Sequence, residues 1–306
     1  MNISLVLIVY RSKSELANDA ANFCEQLLID KKIKCLKIGS DSSSNFFKNN
    51  IKNTNLLPSL AIAIGGDGTV LKTADELVNY DIPILSFNIG GNLGFLTQDK
   101  SFLKNGSFLE LLENNAFNID ARTMLKCNLF KNIDEIANGD YKEQFYALND
   151  FYFKSIDEDI SPTNQIQLEI DDETVNEYKG DGLIISSATG STAYSMAAGG
   201  PIVHPNINAF VINPICPMSL SSRPIVVPDT SKIVIKTIKR DNQVLRLWRD
   251  GTKCSNIMEK EFCVISKAQK VTKIISFRKS ISYYSTLIKK LQWKGNLHRQ
   301  NLLENN

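Results

Sequence analysis

Residues 60–72, Leu-Ala-Ile-Ala-Ile-Gly-Gly-Asp-Gly-Thr-Val-Leu-Lys, constrain the fold more than any other stretch of this chain. An unbroken apolar run ends in glycines, as a strand buried on both faces of a parallel sheet does. From Thr69 onward, Val70, Leu71, Ala74, Leu77 and Val78 recur at helical spacing. A strand, a tight turn and a helix place Gly65, Gly66, Asp67, Gly68 and Thr69 at the carboxyl edge of a sheet, where open α/β folds bind ligands. Glycines let the backbone approach phosphate oxygens, and the first N–H groups of the helix attract anions. Asp67 is the discordant residue, because a carboxylate repels phosphate. It makes sense as a metal contact or as the acceptor of a proton from an attacking hydroxyl. An ordinary βα turn with an aspartate helix cap is the plainer alternative.

The neighbouring sequence extends the pattern. Residues 3–9 and 33–38 read as strands, and Leu16, Ala20, Phe23 and Leu27 mark an amphipathic helix between them. Residues 40–55 are rich in Ser and Asn and predict a loop with a short helix. Residues 83–87 form another apolar strand, so strand and helix alternate as in a parallel sheet covered on both faces. That strand leads into Asn88-Ile89-Gly90-Gly91-Asn92-Leu93-Gly94, a second place where backbone is open to a ligand or where left-handed residues are needed. The loop lacks the Gly-x-Gly-x-x-Gly spacing, and the chain has no Walker A sequence, which disfavours a hydride-transfer Rossmann enzyme and a P-loop kinase.

From Asn118 the rhythm changes to alternating strands, including Leu125/Cys127/Leu129 and Ile166/Leu168/Ile170. Further strand-like runs occupy 183–185, 210–212, 225–227, 233–238, 244–248, 262–265 and 273–277. Asn138-Gly139-Asp140 and Asp171-Asp172 read as hairpin turns. In the tail, Tyr284, Leu287, Ile288 and Leu291 share a helical face; a helix that short is marginal alone and is expected to pack back. The fold class is therefore α/β plus β: an α/β domain at 1–117, a mainly-β domain at 118–277, and a returning tail at 278–306. A chain of 306 residues suits two domains. A net charge of +2 argues against a nucleic-acid binder, and no apolar run is long enough to span a bilayer. The start lacks a signal-peptide pattern, and the scattered cysteines predict buried, reduced thiols and a cytoplasmic protein.

The richest chemistry in the second domain is residues 179–201. Lys179, Gly180, Asp181 and Gly182 precede a strand that ends at Ser186, and Thr189-Gly190-Ser191-Thr192 offers hydroxyls and free N–H groups where a short helix begins. Small residues (Ala193, Ser195, Ala197, Ala198, Gly199, Gly200) leave room for a flat ring against backbone, with Tyr194 to stack on it. Apart from Tyr194 and Met196, residues 186–200 are all small, which favours a pocket over plain loop packing.

These segments resemble one family. Gly-Gly-Asp-Gly-Thr is shared by NAD kinases, diacylglycerol and sphingosine kinases and, more distantly, phosphofructokinases. The Gly180 to Pro201 block, the 214–225 segment, Ala147-Leu148-Asn149-Asp150 and the 88–96 loop are similar to NAD kinase elements, and lipid kinases do not carry the Thr-Ala-Tyr block. The resemblance implies ATP-dependent phosphorylation of the adenosine-ribose 2′-hydroxyl of NAD to give NADP. By it, Asp67 is catalytic, with Gly68 beside it; Asn149 and Asp150 bind the adenosine part; Lys179 and Asp181 lie near the nicotinamide riboside; and Thr192, Ala193, Tyr194, Ser195, Met196 and Ala197 line the adenine pocket. The donor phosphates are expected on Gly65, Gly66, Gly68, Thr69, Asn88, Gly90 and Gly94, with Mg²⁺ carried by ATP near Asp67 and no dedicated protein metal site. A homodimer or homotetramer is implied. Three departures are visible: Asp150 stands where Glu is usual, Thr252 where Gln is frequent, and Gly91 is an extra residue. A lipid or sugar kinase and a catalytically silent dinucleotide-binding regulator are the competing readings.

Overall fold

A computed structural model describes residues 3–40, 56–91, 94–155, 164–238, 244–278 and 282–293. The loop with a short helix expected over 40–55, Ser40 apart, lies outside these residues, as do Asn92 and Leu93. The chain divides into two compact units, one comprising Met1–Asp120 and Lys273–Asn306, the other Ala121–Thr272.

The first unit opens with β1 (Leu5–Tyr10), α1 (Glu15–Asp30), β2 (Lys34–Gly39), β3 (Leu60–Gly65), α2 (Asp67–Leu77) and β4 (Ile84–Asn88), followed by two short helices, α3 (Ser101–Lys104) and α4 (Ser107–Glu113). The strands pair in parallel in the order β2-β1-β3-β4. Connections leave β1 in opposite directions, so the switch point falls between β1 and β3, and the turn after Gly65 opens there. The burial of α1 differs from the expected face. Ala17, Ala21, Cys24 and Leu28 are buried, while Leu16 and Phe23 are exposed. Small side chains bring the helix close to the sheet, and the larger apolar ones are turned about one position away.

The second unit contains β5 (Phe117–Phe130, entering from the first), α5 (Asp134–Asn138), β6 (Glu143–Ala147), β7 (Asp150–Ser155), β8 (Asn164–Ile170), β9 (Glu173–Gly180), β10 (Gly182–Ser187), a 3₁₀ turn (Gly190–Thr192), α6 (Tyr194–Ala197), β11 (Ala209–Ile215), β12 (Ile225–Pro228), β13 (Ile233–Thr237), β14 (Leu245–Arg249), β15 (Thr252–Ile257) and most of β16 (Phe262–Phe277). One sheet runs β12-β11-β10-β7-β14-β15, antiparallel throughout; β9, β8, β13, β16, β5 and β6 make the other. Phe151, Phe153, Leu183, Ile185 and Leu247 from the first share one buried cluster with Cys127, Ile166, Leu168, Ile235 and Ile265 from the second. Asp171 and Asp172, both at positive φ, make the predicted hairpin turn between β8 and β9. Asn138-Gly139 does not make one: Asn138 ends the short helix α5, and Gly139 is its left-handed cap. The two runs read at 262–265 and 273–277 are one strand, β16.

The last strand residues and α7 (Tyr283–Leu291) belong to the first unit, as expected of a returning tail. Ile274 pairs with Ile84 of β4, and the buried Gln98 amide clamps the strand by donating to Ile275 O and accepting from Phe277 N. Here too the buried face is shifted. Thr286 and Leu287 are buried, whereas Tyr284 and Ile288 face solvent. Of the six cysteines, all free, Cys24, Cys127 and Cys263 are buried, Cys35 and Cys254 are half-buried, and Cys216 is exposed, so the expectation of uniformly buried thiols is corrected.

Candidate active site

In the first unit, β3 ends at Gly65 and α2 begins at Asp67, with Gly66 as its N-cap. No side chain caps this helix. Asp67 is therefore not a helix cap. Its carboxylate turns from its own helix to the far end of the second glycine loop: Phe95 N donates to Oδ2 (2.8 Å), Leu96 N to Oδ1 (3.0 Å), and Thr97 Oγ1 lies 3.4 Å from Oδ1. Gly94 makes this seat possible, because a Cβ there would collide with Asp67 Oδ1 and Thr97 Oγ1. Gly65 is held by local packing, since a Cβ would strike the Thr69 side chain, and its carbonyl accepts from Ile89 N (3.2 Å). Gly66 and Gly68 face open space. Their lack of a side chain serves nothing in the protein's own packing, which is what backbone kept bare for a ligand looks like. Asn88 ends β4 opposite Gly65, and Gly90 follows two residues on, beside this turn. The structure thus brings Gly65, Gly66, Asp67, Gly68, Thr69, Asn88, Gly90 and Gly94 to one sheet edge.

In the second unit, Asn149 and Asp150 lie where the chain turns into β7. Asp250 holds this corner by accepting from Leu148 N (2.9 Å), Asn149 N (2.7 Å) and Asp150 N (3.1 Å). Three backbone donors on one carboxylate make Asp250 the organiser of the corner, a role not visible in sequence beyond the Asp250-Gly251 pair. Gly190 presses on the same corner so closely that a Cβ would collide with the Asn149 carbonyl. Ser187 N donates to that carbonyl (2.8 Å).

The hydroxyls of the 189–192 turn are not offered to a ligand as expected. Ser191 Oγ donates to Ala188 O (2.7 Å) and accepts from Val203 N (2.9 Å), and Thr192 Oγ1 bonds Thr189 O. A buried turn needs donors for its own carbonyls, and these hydroxyls supply them. Ser195 is also fully buried, against Gly200, and its carbonyl accepts from Asn213 Nδ2. Ala193, Tyr194, Met196 and Ala197 keep some exposure. Tyr194 meets Tyr152 edge-on (5.0 Å), with Lys154 over its ring, and Tyr152 stacks on Trp248 (5.7 Å). Sequence reading missed this aromatic row because its members come from β7, β14 and α6.

Lys179, next to last in β9, and Asp181, just before β10, are exposed, whereas Asn149 and Thr192 gather at the far end of β10. Six steps along a strand separate Asp181 from Ser187, about 20 Å. The structure does not bring Lys179 and Asp181 to the Asn149 corner.

Asp150 is 2% exposed, and burial, with the neighbouring Asp250 carboxylate, pushes its pKa up to about 8. At neutral pH it is chiefly a carboxylic acid. Burial also raises Asp250, against the lowering effect of its backbone donors. Because folding raises the Asp150 pKa from 3.8, its contribution is most favourable below that value and is lost as pH rises to about 8. Asp150→Asn is expected to exceed the parent in Tm by a margin that widens between about pH 4 and 8 and is then constant, worth on the order of a few kcal/mol. Thermal melts across that range measure it; a margin independent of pH would contradict the assignment.

A bare glycine turn at the switch point of a parallel sheet, with a carboxylate anchored beside it, suits a nucleotide-dependent phosphotransferase. Comparison with known proteins resolves the class. Residues 6–115 match the ATP-NAD kinase N-terminal domain and residues 149–277 the ATP-NAD kinase C-terminal domain. The chain is 60% identical to NAD kinase 1 of Prochlorococcus marinus subsp. pastoris over 296 residues, covering 97% of this chain and 99% of the relative. Its fold is similar to that of yeast NADH kinase complexed with NADH (TM-score 0.80, 22% identity, 96% and 89% of the two chains). It is also similar to an NAD kinase from Archaeoglobus fulgidus in complex with ATP (TM-score 0.71, 21% identity, 95% and 100%). The chain belongs to the NAD kinase family. It is a kinase that transfers the γ-phosphate of ATP to the adenosine-ribose 2′-hydroxyl of NAD, producing NADP.

Proposed function

We propose that the unit containing Asp67 holds the ATP phosphates and that Ala121–Thr272 binds NAD. The observation that carries this reading is the seat of Asp67. A carboxylate offers about four acceptor positions. Phe95 N, Leu96 N and Thr97 Oγ1 occupy three, in an order that leaves one for an incoming hydroxyl. In this reading Asp67 is the catalytic residue and accepts the 2′-hydroxyl proton. The 2′-oxygen bonds to the γ-phosphorus as the bond to the β–γ bridging oxygen breaks, and ADP leaves with that electron pair. Gly65, Gly66, Gly68 and Thr69, with Asn88, Gly90 and Gly94, surround the donor phosphates; the N–H groups of Thr69 and Asn88 are given to Gly66 O and Gln98 O, so the glycines supply the free backbone donors. Positioning and electrostatics do most of the work in such a transfer.

NAD is held by Gly68, Asn149, Asp150, Lys179, Asp181, Thr192, Ala193, Tyr194, Ser195, Met196 and Ala197. The inward-turned Ser195 and the self-bonded Thr192 act through their backbone, and Asp150 as a neutral acid. A homodimer or homotetramer is part of the reading: a second copy would supply Lys179 and Asp181, which the length of β10 keeps from the Asn149 corner. Among the described residues no three His, Cys, Asp or Glu side chains gather to hold a cation. In this reading Mg²⁺ enters on ATP, where it neutralises phosphate charge. Free thiols support a reducing, cytoplasmic setting.

The test is direct. Purified protein given NAD, ATP and Mg²⁺ forms NADP, read by a dehydrogenase that accepts only the phosphorylated cofactor. Absence of NADP with every divalent cation supplied would overturn the reading. Sedimentation of the same preparation checks the oligomer.

A further inference from the structure

The C-terminal helix brings to the glycine turn a charge that the donor phosphates need. The chain has no Walker A lysine, and Lys72, on the helix that follows Asp67, points its ammonium towards Ser40 O (3.4 Å). The residues of α7 on the side of Tyr283, Thr286 and Leu287 repeat at helical steps, and the next on that side is Lys290. Tyr283 and Phe95 lie 6.0 Å apart, ring to ring. Lys290 Nζ stands 4.3 Å from the centre of the Phe95 ring and 4.0 Å from Asp67 Oδ2. The aromatic face steadies the ammonium. At 4.0 Å, however, it makes no hydrogen bond to the carboxylate, so its donors are not consumed by Asp67. Both side chains keep about a quarter of their surface exposed (28% for Lys290, 26% for Asp67), and both are therefore reachable by a ligand.

Resting on the reading of residues 65–69 as the donor turn, we propose that Lys290 is a further catalytic residue, whose ammonium binds the terminal phosphate of ATP beside Asp67. In the free protein it offsets the carboxylate. When ATP is bound, it lies between two anions and draws the charge of the transferring group towards Asp67. The helix end suits a cation, since the last-turn carbonyls are negative. Lys289, its neighbour in sequence, acts instead on Asp99, whose pKa is lowered mainly by Ser101 hydrogen bonds and in smaller part by Lys289. It is the natural control for bulk charge.

The experiment compares Lys290→Met, Lys290→Arg and Lys289→Met in steady-state kinetics against ATP and NAD, with calorimetric titration of a non-hydrolysable ATP analogue. Lys290→Met is expected to lose about a hundredfold in kcat/KM for ATP, the scale for removing one aimed donor. Its KM for NAD should stay within about twofold, because uniform acceptor binding is untouched. Lys290→Arg should recover to within about tenfold of the parent, and Lys289→Met should keep parental ATP kinetics. The analogue should bind Lys290→Met more weakly. Lys290→Gln replaces the methionine variant if that fails to fold. Unchanged ATP kinetics in folded Lys290→Met or Lys290→Gln overturn the proposal, as does an equal loss in Lys289→Met. A parent protein that makes no NADP overturns the underlying reading instead, before any variant is compared.

Discussion

Asp67→Asn lowers kcat by about a thousandfold or more, on the order of 4 kcal/mol of barrier, while ATP binds at least as tightly as before. The two effects have opposite signs for one reason. Asparagine removes the negative charge that takes up the proton, and it removes the same charge from beside the phosphates, where it repels them. The amide can still accept from Phe95 N or Leu96 N but not from both, since its NH₂ faces one of them. The expected fall in stability is about 1 kcal/mol, the worth of one hydrogen bond. Single-turnover kinetics with a titration of ATP measure both arms. A variant with near-parental turnover would remove Asp67 from the chemistry.

Gly94→Ala is expected to cost about a hundredfold in kcat while keeping the Gly94 backbone N–H offered to the donor phosphates, as a small misplacement of a reacting group does. Its new methyl would meet Asp67 Oδ1 and Thr97 Oγ1, both tips of side chains and not backbone. The fold can therefore absorb the substitution, but only by turning Asp67 out of its seat. Overpacking of this kind costs about 1–3 kcal/mol, a few degrees in Tm. Kinetics and melts together are decisive: full activity in a folded Gly94→Ala protein would mean that the Asp67 seat is irrelevant to turnover.

The burial shifts in α1 and α7 show how far the fold was legible. Periodicity located both helices, because apolar residues recur with the helical turn whichever side is buried. It missed which side, because Ala17, Ala21 and Cys24 carry little hydrophobic signal and yet fit the close approach of helix to sheet. The strands β9 and β15 escaped the reading for a related reason. They end their sheets, and their sequences, Glu-Thr-Val-Asn-Glu-Tyr-Lys-Gly and Thr-Lys-Cys-Ser-Asn-Ile, lack the apolar alternation of central strands.

By itself the sequence determined the local chemistry: a strand-turn-helix unit with bare glycines and one carboxylate, a run of small residues after β10, and the motifs that mark the NAD kinase family. Each is a property of neighbouring residues, set by steric freedom, size and spacing, and so is readable along the chain. Only the tertiary structure decided what those residues do with their polar atoms. It turned Asp67 from its own helix to the amides of Phe95 and Leu96, spent the Ser191 and Thr192 hydroxyls on the turn's own carbonyls, set Asp250 under Asn149 and Asp150, and laid Lys290 beside Asp67. These pairings depend on which strand ends the topology brings together and on which buried donors still lack acceptors. Neither quantity has a period in the sequence.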